Sequence, residues 1–143
     1  MAQRQILYAS VSGGASALTD YKQYTGAMRG KYRFFSGGSF QNGGVCRANY
    51  NGMEVYRANI GNGTGSDNPS KDFIATADGT FDCWVERNSG LGAAELILYQ
   101  YHEWVNVDGA WKMTPGKWVK MDGTWRQAIN AWVNVDGIWR QTY

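Results

Sequence analysis

Three segments near the end of the chain decide its fold: Trp104-Val-Asn-Val-Asp-Gly-Ala-Trp-Lys112, Trp118-Val-Lys-Met-Asp-Gly-Thr-Trp-Arg126 and Trp132-Val-Asn-Val-Asp-Gly-Ile-Trp-Arg140. They align without gaps at a period of 14 residues, and Trp, Val, Asp, Gly and Trp recur at the same places in all three. A fixed period of this kind marks an internal repeat. Asp108-Gly109, Asp122-Gly123 and Asp136-Gly137 are two-residue turn signals, because a type I′ turn needs positive φ at both central positions. The flanking residues are β-branched and aromatic, as strands prefer. Each copy is therefore predicted to be a β-hairpin. The turn sets the register: Val107 opposite Ala110, Asn106 opposite Trp111, Val105 opposite Lys112 and Trp104 opposite Met113.

Alternation along a strand then puts both Trp of a copy on one face. The candidate face consists of Trp104, Trp111, Trp118, Trp125, Trp132 and Trp139, with Asn106, Lys120 and Asn134 beside them. The opposite face carries Val105, Val107 and Lys112 and their equivalents, so both faces are partly apolar. A lone two-stranded hairpin is marginal in water. Three in series can form a meander, or hairpins rotated about a common axis. In either case they are expected to pack on the rest of the chain or on a neighbouring subunit.

Outward from the repeats, the 143 residues divide unevenly: six of seven Trp follow residue 103, and 15 of 19 Gly precede it. Residues 1–103 are read as a Gly-rich antiparallel β body and residues 104–143 as the hairpin repeats. The expected class is all-β, a small sandwich or barrel-like body followed by three hairpins. Asn51-Gly52 predicts a hairpin joining strands at 45–50 and 53–60. Asp78-Gly79 predicts a second, joining 73–77 to 80–86, with Phe73 opposite Trp84 and Ile74 opposite Cys83. Further strands are expected at 5–11, 31–35 and 94–101, the last running into the first repeat without a linker. Loops are expected at Ser36-Gly37-Gly38-Ser39, at Asn42-Gly43-Gly44 and over 61–70, and one short helix over 15–24.

The composition excludes several functions. Fourteen basic against 12 acidic residues leave a net charge of +2, which gives no reason to expect nucleic acid or an anionic membrane as partner. No apolar run is long enough to span a bilayer, and the first residues lack the apolar core of a signal peptide. The single histidine, His102, reads as a surface residue. Cys46 and Cys83 read as free, partly buried thiols, and no Cys/His cluster has metal-ligand spacing. Asp78, Asp108, Asp122 and Asp136 are accounted for by turns, and the other carboxylates are scattered. No phosphate cradle or nucleophile elbow occurs. Neither a catalytic residue, a cofactor nor a metal is expected. Asn62-Gly63-Thr64 matches a glycosylation acceptor triplet in a Gly/Asn loop.

The repeats resemble the tandem copies that end many tailed-bacteriophage virion proteins, in particular tail-fibre, tail-tip and other surface structural components. The resemblance covers residues 104–140. It implies a non-enzymatic virion structural protein, assembled in the host cytoplasm, with capsid or tail subunits and further copies of itself as partners. The small size suits a capsid decoration (cement) subunit or a tail adaptor. A second resemblance is to choline-binding wall-anchoring repeats, which also combine Trp, a Gly turn and Trp. Here the period differs, and Lys112, Arg126 and Arg140 stand where that pattern has aromatics. The alternative function is a carbohydrate-binding or host-adhesion module in which the paired Trp stack on a host glycan.

Overall fold

The structure, a computed structural model, describes residues 2–14 and 16–142 apart from the pairs 108–109, 115–116, 122–123, 129–130 and 136–137; side chains are described for residues 3–14 and 16–102. The body strands are β1 (Ala2–Ser12), β2 (Leu18–Ala27), β3 (Gly30–Phe40), β4 (Gly44–Tyr50), β5 (Met53–Gly61), β6 (Gly65–Ser66), β7 (Ser70–Ala75), β8 (Gly79–Arg87) and β9 (Gly92–Val107). One sheet has the order β1-β9-β3-β7 and the other β2-β8-β4-β5-β6. All pairings are antiparallel, and the two sheets do not close into a barrel. The expected all-β body is thus a sandwich. Setting aside the two-residue β6, its strand order is that of a double-sheet jelly roll.

Alternation builds the core. Leu7, Ala9 and Val11 of β1, Phe34 of β3, and Leu96 and Leu98 of β9 face Cys46 and Ala48 of β4, Ala58 and Ile60 of β5, and Phe81 and Val85 of β8. Aromatic rings fill one end. Phe34 stacks on Tyr56 at 4.9 Å, and Tyr32 meets the edge of Phe81 at 4.8 Å, both across the sheet interface. Fully burying one such ring contributes about 1.5–3 kcal/mol. Ser36, buried inside this layer, is partnered: its Oγ lies 2.6 Å from Tyr56 Oη and 2.8 Å from Ser66 Oγ. At the margins, β1 and β2 are the outer strands of opposite sheets, and the Ser10 N–H donates to Asp20 Oδ2 at 2.9 Å. That bond occupies a donor which an edge strand otherwise leaves open.

The 50–53 hairpin forms as expected, with φ of +49° at Asn51 and +82° at Gly52. Four other expectations are corrected. Phe73 is not opposite Trp84: β7 pairs with β3, and β8 pairs with β2 and β4, so Asp78 lies where the chain passes from one sheet to the other. The 15–24 region carries no helix among the described residues; Leu18–Ala27 is a strand, in keeping with its Thr and Tyr content. The stretch 36–39 is not a loop but part of β3. Gly38, at φ +124°, is required there because a Cβ would lie 2.2 Å from Ala93 O. His102 is buried, because the even-numbered residues of β9 from Ala94 to His102 face inward. Cys46 and Cys83 are free, as expected, and fully buried.

β9 leaves the body without a break. It pairs with β3 as far as Gln100 and with β1 as far as His102, then with β10 (Ala110–Thr114) from Glu103 to Val107. Two more ladders follow, β11 (Lys117–Met121) with β12 (Thr124–Ala128) and β13 (Ala131–Val135) with β14 (Ile138–Thr142). Among the described residues no ladder joins β10 to β11 or β12 to β13.

Candidate functional site

The hairpin ladders have the register that the Asp-Gly turns predict. Trp104 is opposite Met113 and Asn106 opposite Trp111; Trp118 is opposite Gln127 and Lys120 opposite Trp125; Trp132 is opposite Gln141 and Asn134 opposite Trp139. Positions 104, 106, 111 and 113 therefore share one face of the first ladder, and the same holds 14 and 28 residues on. The side chains of these residues, and the turn residues Asp108, Gly109, Asp122, Gly123, Asp136 and Gly137, lie outside the described residues.

The remaining tryptophan stands on the outer face of the second sheet. Register places Trp84 of β8 between Tyr21 of β2 and Arg47 of β4. The Tyr21 ring is 5.2 Å from the indole, and the Arg47 guanidinium is 4.3 Å from its centre. Arg47 is held as a planar fork by Glu86, with Nε to Oε2 at 2.9 Å and Nη2 to Oε1 at 3.1 Å. That bond raises the Arg47 pKa further above its ordinary value. Tyr21 donates to Asp82 Oδ1 at 2.6 Å, and Gln23 donates to the same oxygen at 2.8 Å. The hydrogen bond to Asp82 raises the Tyr21 pKa. With neighbours on both sides, Trp84 is a packed rung of this face and not an open stacking platform. The alternation of residues 79–87 is the signal that could have placed it.

Several ionisable groups of the body are tied into the fold. Burial pushes the Cys46 and Cys83 thiols up to about 12, which keeps them protonated and weakly nucleophilic. Arg33 and Lys31 hold Asp72 below the usual carboxylate range. Asn59 does the same for Asp67 through two hydrogen bonds of 2.7 Å. Among the described residues no three His, Cys, Asp or Glu side chains converge as a metal site would require. Asn62-Gly63-Thr64 lies in the turn between β5 and β6, with Gly63 N donating to Ser39 Oγ at 2.7 Å.

The chain matches no protein-family model, and no curated protein is significantly similar to it.

Proposed function

We propose that this chain is a non-enzymatic structural subunit of a tailed-phage particle, a capsid decoration or tail adaptor/fibre-type component that acts through subunit assembly. The observation that carries this reading is the run of three hairpin ladders, identical in register, continuing from the central strand β9. Each is a two-stranded ladder with no third strand paired to it among the described residues and with two faces that the sequence makes partly apolar, the kind of element that gains stability only against further surface. The repeat resemblance supports the same reading. The jelly-roll order, which viral capsid and lectin domains share, adds an analogy of fold and not of site.

Sedimentation of the full-length chain tests it. The wild type should form a defined oligomer or bind a capsid or tail protein of its particle. Serine at Trp111, Trp125 and Trp139 together should abolish that association while leaving the body's β-sheet circular dichroism intact. A wild type that stays monomeric and is not incorporated into particles refutes the assembly role, and so does a triple variant that still assembles.

A further inference from the structure

On the outer face of the first sheet, Glu95 of β9 sits between Ser10 of β1 and Gly37 of β3. The row to one side is bulky, with Tyr8, Ile97 and Phe35. The row to the other side is small, with Ser12, Ala93 and Ser39. This step leaves a depression of about 310 Å³, lined in part by Tyr8, Ser10, Ser12, Gly37, Ala93 and Glu95.

Two features mark it as more than a gap between side chains. The first is Gly37. Its φ is not in the left-handed region, and an added Cβ would meet only the Phe35 ring, at 3.5 and 3.6 Å. Unlike Gly38, the backbone does not require glycine at this position; the missing side chain keeps the depression open. The second is Glu95. Eight carboxylates have described side chains. Seven are engaged: Asp20, Glu54, Asp72 and Glu86 by cations, and Asp67, Asp78 and Asp82 by hydrogen-bond donors. The half-buried Glu95 carboxylate alone has no partner among the described residues. An acceptor-only group lining a depression is matched by a ligand that brings donors.

We propose that this depression is a binding site for a neutral pyranose, with Glu95 accepting hydrogen bonds from two adjacent hydroxyls. Tyr8, 45% exposed, offers its ring to the C–H face of the sugar, and the Ser10 and Ser12 hydroxyls complete the polar rim. The volume is at the small end for ligand pockets and suits one sugar unit at a time. An anionic ligand would be repelled by Glu95. A quaternary ammonium favours an aromatic cage, and among the described lining residues Tyr8 alone carries a ring. The rim is pre-set: Asp20 accepts the Ser10 N–H at 2.9 Å and is itself paired with Lys22 at 3.0 Å. The same chemistry occurs in free sugars and in surface polysaccharides, so both belong in the test.

Saturation-transfer NMR on the full-length chain, with D-glucose, D-galactose and N-acetyl-D-glucosamine at tens of millimolar, reads out binding. At least one should bind wild type. Glu95→Gln should weaken it about tenfold, as expected for a lost charge-assisted hydrogen bond. Gly37→Val should abolish it by filling the depression. Tyr8→Ala, at an exposed position, gives the same loss without touching the glycine, so the test survives if Gly37→Val folds poorly. A polysaccharide carrying the preferred sugar that binds more tightly than the monosaccharide identifies a surface glycan as the source. No binding of any of the three sugars overturns the proposal. So does binding unchanged in Glu95→Gln and Tyr8→Ala, or binding of tetramethylammonium in place of the sugars. None of these outcomes bears on assembly, which sedimentation reads separately.

Discussion

The hydroxyls of Ser36 and Tyr56 meet 2.6 Å apart between the two sheets. Tyr56 has one hydroxyl proton and a backbone carbonyl, Asn68 O, at 2.6 Å to receive it. The Ser36 proton therefore goes to Tyr56, and Ser66, 2.8 Å away, donates in turn to Ser36. Tyr56→Phe removes both an acceptor and a donor and should cost about 1–3 kcal/mol in urea unfolding. Ser36→Ala leaves the Tyr56–Asn68 bond in place and should cost less. The opposite ranking would reverse the proton order.

Neighbouring glycines of β3 should respond in opposite ways to alanine. At Gly38 a Cβ collides with the Ala93 and Ala94 backbone and the φ is positive, so Gly38→Ala should destabilise by about 2–4 kcal/mol. At Gly37 the new methyl makes ordinary contact with Phe35. Gly37→Ala should be neutral, or stabilising by up to about 1 kcal/mol, because alanine has less backbone freedom to lose. Thermal unfolding of the two variants side by side decides this.

Arg47 both stacks on Trp84 and forks onto Glu86. The pair is part-exposed, so its ion-pair contribution is only about 0.2–1 kcal/mol, with a cation–π contribution of similar size. Arg47→Ala should cost about 1–2 kcal/mol in urea unfolding, the sum of the two. Arg47→Lys should recover only part of this, because an ammonium has no planar fork. Full recovery by lysine would show that charge alone matters.

Raised thiol and phenol pKa values make the fold alkali-sensitive. Cys46, Cys83 and Tyr56 are each pushed up to about 12 by burial, whereas in the unfolded chain they titrate near 9–10. Between those limits the native state holds protons that the unfolded state has released, so stability should fall as pH rises from about 9 towards 12. Below that window these groups are protonated in both states and contribute no pH dependence. Folded protein at pH 8 should resist a thiol reagent, and both cysteines should react in denaturant. Fast labelling of the native state would contradict their burial.

The parts legible in the sequence are those with local physics. The Asn51-Gly52 turn sets its hairpin register because two positive φ values leave few alternatives, and the ladders beside the C-terminal Asp-Gly pairs have the register those pairs predict. Long-range pairing left no such trace. Asp78-Gly79 looks like any hairpin turn, and nothing near it says that β7 and β8 belong to opposite sheets. Gly37 and Gly38 read as loop because composition does not separate a glycine that bends the chain from one that lets two strands approach. His102 lost its surface reading once the inward parity of β9 was known. The candidate sugar site was wholly invisible, since what distinguishes Glu95 is the absence of partners among the described residues around it, a property of three strands and not of one.

The continuity of β9 has a mechanical consequence. The strand that begins the hairpin series is an inner strand of its sheet, hydrogen-bonded to β1 on one side and β3 on the other. A pull on the hairpins along this strand loads those bonds in shear, many at once, and does not peel them apart one by one. An anchor made this way yields at a force set by the whole ladder, which suits a connection that must hold under load.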